Sequence, residues 1–147
     1  MTMRLPVYLT ALLLVIPAPP VAQAIGISHM RDFEPLFGRY APAGDCRQQP
    51  QVTVDADGMS FEVGGTTEQV TRLEYAASYG GNYYEGISLW FLPFGHSGSH
   101  PILMTFNAAE KEGELAITGH DEGWDGGPPL SARNKALVAG SPYRRCK

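Results

Sequence analysis

Alternating apolar and polar positions predict a series of short β-strands in this chain. Residues 51–63 alternate in this way on both sides of the turn sequence Asp55-Ala56-Asp57-Gly58, which predicts a hairpin with one buried face. Gly64-Gly65 favours a type I′ turn because glycine adopts positive φ without steric cost. We therefore expect the meander to continue through Thr66 to Arg72.

The segment after this turn also permits a helical interpretation. Thr66 and Gln69 have the spacing of a capping box, which is a helix-start signal. Residues 73–79 could then form a helical turn, and the sequence alone leaves this alternative open.

A strand with two apolar faces is predicted near the middle of the chain. Residues 87–94 read Ile-Ser-Leu-Trp-Phe-Leu-Pro-Phe, and such runs occur where a strand is covered on both sides. Apolar side chains alternate again in residues 102–106 and 115–117, which indicates two further strands.

The beginning of the domain looks less regular. Proline and glycine interrupt residues 25–45, and Phe33, Phe37 and Tyr40 are the apolar anchors of this segment. We expect it to be an irregular entry segment.

A short helix is predicted near the C-terminal end. Ser131 is a suitable N-cap, residues 132–138 follow it, and Gly140 ends the helix. Tyr143 to Cys146 is expected to be a last extended segment. Roughly six or seven strands with one short helix predict a mainly β fold, a small antiparallel β-barrel or sandwich.

The N-terminal residues 1–24 predict a secretory signal peptide. Arg4 precedes the short apolar run Leu5 to Ile16, and Ala22-Gln23-Ala24 matches the small-residue pattern of a cleavage site. This run is too short to cross about 30 Å of hydrocarbon, which favours a peptide cleaved after Ala24 over a membrane anchor. No other apolar run is long enough to span a membrane, so we expect no membrane insertion after cleavage. Residues 25–147 are then expected to form a single β-rich domain that is periplasmic or secreted.

Composition narrows the possible classes of protein. The chain has 147 residues, of which 15 are acidic and 11 are basic, and its formal net charge is −4. With 44% hydrophobic residues, it is typical of one globular domain rather than of a disordered or multi-domain chain. An acidic surface does not favour nucleic acid as a partner.

The two cysteines, Cys46 and Cys146, predict one disulfide bond. A signal peptide implies an oxidising compartment, where a single pair of cysteines is normally bridged. The bridge would join the start of the domain to its penultimate residue. A redox or nucleophilic thiol is the alternative, and no C-x-x-C spacing supports it.

The loop at residues 120–125 is the strongest candidate for a binding site. It carries three carboxylates, an imidazole and an indole, with glycines around them: His120, Asp121, Glu122, Trp124 and Asp125. Loops on a rigid scaffold often carry binding residues, and carboxylates beside an aromatic anchor suit a basic partner. The alternative is a solvated acidic turn whose Trp124 packs back into the core.

Two further groups of residues are candidates. Tyr83 and Tyr84 follow a Gly-Gly turn and could stack on a sugar or anchor a protein partner. His96, His100 and His120 could form a zinc site if their loops converge, which the sequence does not establish.

No known catalytic motif occurs in the sequence. The patterns G-x-S-x-G, Walker A, G-x-G-x-x-G, H-E-x-x-H and C-x-x-C-H are all absent, so we predict no catalytic residue, no cofactor and no bound metal. Our leading hypothesis is a non-enzymatic binding protein, such as an inhibitor or immunity protein against a protein partner like an envelope hydrolase. The alternatives are a metal-dependent hydrolase using the His120–Asp125 loop and a small-ligand carrier with an apolar barrel cavity beside Trp90.

Overall fold

One antiparallel sheet organises the molecule. The computed structural model describes residues 24–76, 85–95 and 98–147, and this part of the chain contains ten strands. The strands are β1 Ile25–Ile27, β2 Gly38–Pro42, β3 Gln51–Asp55, β4 Gly58–Val63, β5 Thr66–Val70, β6 Leu73–Ala76, β7 Leu89–Pro93, β8 Ile102–Phe106, β9 Glu114–Gly119 and β10 Tyr143–Arg145. An α-helix, α1, covers Ala132–Ala139, and 3₁₀ helices cover Arg31–Leu36 and Ala108–Glu110. The predicted mainly β architecture is confirmed.

The sheet curls into a half-barrel. Its strand order is β1-β6-β7-β8-β9-β10-β2-β3-β4-β5. β5 and β6 therefore lie near opposite ends of the order, although two residues alone, Thr71 and Arg72, connect them. Three Cα–Cα steps span at most about 11 Å, so the sheet must bend until its two ends approach each other. This is barrel-type curvature of one sheet rather than a sandwich of two.

The predicted hairpins are confirmed. The first joins β3 to β4, and Asp55 Oδ1 fixes its turn by accepting hydrogen bonds from the backbone N–H of Asp57 at 2.9 Å and Gly58 at 3.2 Å. The second joins β4 to β5 through Gly64 and Gly65, whose φ angles of 60° and 77° are both positive. β5 is an extended strand, so the capping-box interpretation of this segment is wrong.

The helical alternative for residues 73–79 and the irregular segment expected at residues 25–45 also differ from the structure. Residues 73–76 form β6 instead of a helical turn, because pairing with both β1 and β7 outweighs the local helical signal; residues 77–79 lie outside the described ranges. Residues 25–45 are not irregular throughout, since they contain β1, β2 and a 3₁₀ helix. These two strands are short and their pairing partners, not their own patterns, determine them.

Aromatic side chains fill the inside of the curled sheet. The Phe91 ring contacts Phe33 and Phe106 edge to face, with 5.0 and 5.6 Å between ring centroids. Phe106 in turn contacts Tyr40 at 5.4 Å. These rings come from a 3₁₀ helix and from β7, β8 and β2, so strands from across the sheet share one core.

β7 is apolar on both faces, as its sequence predicts. Phe91 belongs to the main core, whereas Leu92 packs with Ala76 and Leu103 in a second, smaller cluster. The half-buried Trp90 packs against this second cluster. The strand begins at Leu89, two residues later than the apolar run itself.

The predicted C-terminal helix is confirmed with its cap. Ser131 Oγ accepts a hydrogen bond from Asn134 N at 3.2 Å. The C-cap after Ala139 is Gly140, which has a right-handed φ of −78°. The helix packs against β9 and β4. Tyr143 on β10 donates its hydroxyl hydrogen to Leu137 O at 2.6 Å and so ties the last strand to the helix.

The predicted disulfide joins Cys46 to Cys146. Their Cα atoms are 5.9 Å apart, and the bond connects the segment after β2 to the residue after β10. β10 already pairs with β2, and Cys146 N donates to Arg39 O at 2.8 Å, so the bond reinforces a strand pair. Closing a loop of about 100 residues stabilises a fold by up to roughly 4.7 kcal/mol by the chain-entropy argument.

The predicted signal peptide, apart from Ala24, lies outside the described residues. Strand β1 begins at Ile25, the residue that would follow cleavage. Within the described ranges, no helix has the length and apolar character needed to cross a membrane.

Candidate functional site

Backbone hydrogen bonds hold the base of the 120–125 loop. His120 N donates to Pro101 O at 2.9 Å. Asp121 N then donates to His100 O, also at 2.9 Å. These bonds continue the β8–β9 pairing beyond the strand ends, so the loop leaves the sheet from a fixed starting point.

Asp121 brings two of the candidate histidines together. Its Oδ2 accepts a hydrogen bond from His100 N at 2.7 Å and lies 3.7 Å from His100 Nδ1. Its Oδ1 lies 3.6 Å from His120 Nε2. The loops that carry His100 and His120 therefore converge on one carboxylate, which the sequence could not establish.

His100 links the loop to the sheet. Its Nε2 is buried, lies 3.4 Å from Glu74 Oε2 on β6, and makes no hydrogen bond of good geometry within the described residues. The imidazole packs against the Phe94 ring with 4.7 Å between centroids, and the Arg72 guanidinium lies 4.9 Å from the centroid of the same ring. The His100 imidazole therefore lies between the carboxylates of Glu74 and Asp121 and against the Phe94 ring.

Trp124 is exposed, and its indole N–H is hydrogen-bonded within the loop. Its residue surface is 62% accessible, so the expectation that the indole could pack back into the core is wrong. The indole Nε1 donates to Asp121 O at 3.1 Å, and Gly127 N donates to Trp124 O at 3.0 Å. A Cβ atom on Gly127 would lie 2.5 Å from Trp124 Nε1, so the indole can sit here only because residue 127 lacks a side chain.

The remaining two carboxylates of the loop differ in their surroundings. Glu122 is half-buried and accepts a hydrogen bond from Ser99 Oγ at 2.6 Å. Asp125 is exposed and makes no hydrogen bond or ion pair with the described part of the chain. Glu122 therefore faces the neighbouring loop, whereas Asp125 presents its charge to solvent.

The titratable residues do not assemble a metal centre among the described residues. No group of three or more His, Cys, Asp or Glu side chains in residues 24–76, 85–95 and 98–147 has the arrangement needed to hold an ion. The candidate residues His96, Tyr83 and Tyr84 lie outside these ranges.

The barrel interior is occupied by the protein's own side chains. Its largest fully buried members include Tyr40, Phe61, Phe91, Phe106 and Tyr143. Trp90 packs against the separate, smaller cluster instead of lining this interior. The packing therefore gives no support to a carrier that holds an apolar ligand beside Trp90.

A polar cleft opens beside the loop, along the edge strand β5. Its volume is about 470 Å³. Its walls come from β5, the loop before β8, the loop after β9, and the start of α1 with its N-cap. The lining residues are Glu68, Gly95, Pro101, Glu122, Ser131, Arg133 and Asn134. Glu122 thus belongs both to the acidic loop and to this cleft.

Sequence reasoning missed the cleft. Ser131 is predicted only as a helix cap, and no local spacing connects Glu68 with Arg133. The curl of the sheet and the docking of α1 bring these segments together, so tertiary structure alone creates the cavity.

Charges inside the cleft are unequally compensated. Arg133 Nη1 forms an ion pair with Glu68, and Arg133 Nε donates to Asn134 Oδ1 at 3.0 Å. The guanidinium also lies 5.4 Å from the centroid of the Phe61 ring. Glu122 has no cationic partner in the described part of the chain, so it is the uncompensated charge of the cleft.

The shifted pKa values belong to structural groups outside the loop and the cleft. Burial raises the pKa of Tyr40, although hydrogen bonds from Arg145 oppose the rise, and burial also raises the pKa of Tyr143. Hydrogen bonds from Arg47 lower the pKa of Asp45 to about 2. Strongly shifted groups often mark catalytic sites, and here they do not coincide with the candidate site.

No protein-family model, curated protein or solved structure matches the chain. The geometry of the loop and the cleft is therefore the basis for assigning a function.

Proposed function

We propose that the protein is a periplasmic or secreted binding protein whose 120–125 loop contacts a protein partner with a basic surface. An inhibitor or immunity protein directed against an envelope hydrolase is the form of this function that we favour. The single observation that carries the proposal is the indole of Trp124, which is 62% exposed and yet fixed by a hydrogen bond to Asp121 O.

A fixed and exposed tryptophan suits a role in recognition. Tryptophan is enriched among the residues that dominate binding energy, because its large ring buries much apolar surface in a partner's pocket. A ring that already occupies its bound orientation loses little conformational entropy on association. The glycines at positions 126 and 127, which border the ring, make room for this orientation.

The carboxylates around Trp124 determine the kind of partner. Asp121 and Asp125 are exposed on the same loop as the indole, and the whole chain carries a net charge of −4. Complementary charge raises association rates and discriminates among partners more than it raises affinity. A basic cleft or patch on the partner is therefore the expected complement.

The proposed compartment follows from two features of the chain. The N-terminal residues have the pattern of a cleavable signal peptide, and Cys46 and Cys146 form a disulfide. Disulfides persist mainly in oxidising compartments. We propose that cleavage follows Ala24 and that residues 25–147 act as one domain.

Affinity capture tests the proposal. The disulfide-bonded secreted protein is immobilised and exposed to the envelope and secreted fractions of its own organism, at about 0.15 M salt, where weak surface attraction is already screened. A double variant, Trp124→Ala with Asp125→Ala, should retain the captured partner at least about 30-fold more weakly, which corresponds to a loss of 2 kcal/mol.

A matched control shows whether a loss of affinity is specific to the loop or follows from removing any exposed apolar side chain and carboxylate. Ile87→Ala with Glu112→Ala removes one exposed apolar side chain and one exposed carboxylate elsewhere. This variant should bind like the wild type. Equal affinity of the wild type, the loop variant and the control variant for the captured partner would show that the loop is not the contact. The absence of any captured partner would contradict the binding function.

A further inference from the structure

An imidazole between two carboxylates connects the 120–125 loop to the sheet. His100 Nδ1 lies 3.7 Å from Asp121 Oδ2, and His100 Nε2 lies 3.4 Å from Glu74 Oε2 on β6. The His100 side chain is only 18% exposed, and its Nε2 is buried without a hydrogen-bond partner in the described part of the chain. Both ring nitrogens therefore face a carboxylate in a mostly buried place. We call Glu74, His100 and Asp121 the His100 link.

The charge of the imidazole decides whether both contacts of the link are attractive. A neutral imidazole has one N–H group and one nitrogen lone pair. Whichever nitrogen carries the hydrogen, the other presents its lone pair to a carboxylate oxygen, and this contact is repulsive. An imidazolium carries a hydrogen on both nitrogens, so it attracts Glu74 and Asp121 at the same time. The link is therefore complete only when His100 holds the second proton.

The other charged groups around the link act in both directions. His120 Nε2 lies 3.6 Å from Asp121 Oδ1, so a second imidazole contacts the same carboxylate through its other oxygen. The His100 imidazole packs against the Phe94 ring, and the Arg72 guanidinium lies 4.9 Å from the centroid of that ring. Arg72 repels an imidazolium, whereas the two carboxylates attract it from within ion-pair distance.

The link reaches the exposed indole through Asp121. The backbone N–H of Asp121 donates to His100 O at 2.9 Å, and Asp121 O accepts the hydrogen bond from Trp124 Nε1 at 3.1 Å. The residue whose carboxylate faces His100 thus also accepts the indole hydrogen. A change in the link acts directly on the residue that holds Trp124.

We propose that the His100 link is a proton-dependent connection between the 120–125 loop and β6, complete when His100 is protonated and incomplete when its imidazole is neutral. Histidine ordinarily changes its charge between about pH 5 and 8, where carboxylates ordinarily stay ionised. The loop is then held more firmly at the acidic end of this interval. The consequence for partner binding rests on the proposed function, whereas the connection itself is a property of the free protein.

Amide hydrogen exchange of the free, disulfide-bonded secreted protein tests the inference at about pH 5.5 and pH 7.5. Rates are converted to protection factors, which removes the ordinary acceleration of exchange by base. The reporter is the Asp121 amide, because its hydrogen bond to His100 O must break when the base of the loop opens. Its protection factor should be about fivefold higher at the lower pH, because opening then also breaks the attraction to the imidazolium.

Four variants identify the groups responsible. His100→Gln is polar but gains no charge in this interval, so the pH difference in protection should vanish. Glu74→Gln removes the carboxylate that faces Nε2 and should reduce the difference to about twofold. His120→Gln should retain most of the difference, because His120 does not contact β6. His29→Gln removes an exposed histidine outside the loop and should leave the difference unchanged.

Equal protection of the Asp121 amide at both pH values in the wild type would overturn the inference. An equal pH difference in the wild type, His100→Gln and Glu74→Gln would also overturn it. If His100→Gln fails to fold, the wild-type profile and Glu74→Gln decide the question. A captured partner that depends on Trp124, together with a loop whose protection ignores pH, would remove this inference and leave the proposed function intact.

Discussion

Trp124 donates its indole N–H to the backbone oxygen of Asp121 at 3.1 Å, while 62% of the residue remains accessible to solvent. The polar atom of the side chain is thus satisfied within the loop, and the apolar ring is the part left uncovered. An indole is one of the largest apolar groups that a protein can bury in an interface. This relationship makes the ring available to a partner without leaving its N–H group unpaired on binding.

Glycine at position 127 should be required for the exposed orientation of the Trp124 indole. Gly127→Ala would place a Cβ atom 2.5 Å from Trp124 Nε1, and the backbone φ of Gly127 is not in the left-handed region, so the displaced group should be the indole. We expect partner affinity to fall about tenfold, a change of about 1.4 kcal/mol, with little change in unfolding free energy.

The control for this prediction is Gly26→Ala, because no heavy atom lies within 4 Å of a Cβ built there. Fluorescence in a Trp90→Phe background reports the position of the indole directly. Unchanged emission and unchanged affinity of the Gly127→Ala variant would show that the indole orientation does not matter.

The disulfide should make a large contribution to stability. Replacing both Cys46 and Cys146 by Ser should lower the unfolding free energy by about 2–4 kcal/mol, because the unfolded chain regains the freedom that a long covalent loop removes. Urea denaturation at equilibrium measures the loss. The wild-type protein, denatured without reductant, should contain no titratable thiol; two titratable thiols would contradict the bond.

The aromatic core should depend strongly on Phe91. This side chain is fully buried and contacts both Phe33 and Phe106. Phe91→Ala should cost about 3–5 kcal/mol of unfolding free energy, from lost burial and from the cavity left behind. Ile87→Ala, at a position that is 47% exposed, should cost less than about 0.5 kcal/mol under the same conditions. Similar losses in both variants would contradict the assignment of the core.

Acid should destabilise the protein partly through Asp45. Hydrogen bonds from Arg47 lower the pKa of this carboxyl from 3.8 to about 2 in the folded protein. The folded state therefore binds fewer protons than the unfolded state between these values, so stability from this group is complete above about pH 4 and is lost as the pH falls toward 2.

The midpoint of urea denaturation, followed from pH 5 to pH 2, tests this prediction. Asp45→Asn should flatten the acid limb of the profile. Arg47→Gln should flatten it less, because it removes the guanidinium hydrogen bonds but keeps those from the backbone N–H of residue 47 and from Gln48 Nε2. An acid limb that is unchanged in both variants would show that this pair does not contribute.

Local patterns predicted the parts of the fold that depend on neighbouring residues. Alternation in residues 51–63 reflects strands with one mainly buried face, and the paired glycines at 64 and 65 fix a turn. Residues 102–106 form a strand that is buried on both faces, with Leu103 in the second cluster. β1 is a three-residue strand, and its partner β6 lies far from it in the sequence. No local signal therefore reveals that residues 25–27 form a strand.

The candidate site was predictable in composition but not in geometry. The loop residues were identified from their chemistry, whereas the exposure of Trp124 depends on a hydrogen bond and on glycines that accommodate the ring. The cleft joins Glu68, Glu122 and Arg133 from three separate segments. Such a site exists only after the sheet has curled and α1 has docked, so the sequence pattern could not indicate it.

Amide hydrogen exchange of the captured complex is the most direct test of the central claim that the 120–125 loop is the contact surface. Exchange is compared residue by residue between the free protein and the protein with its partner bound. Amides of residues 120–127 should exchange more slowly when the partner is bound. Slower exchange confined to other surfaces, with residues 120–127 unchanged, would contradict it.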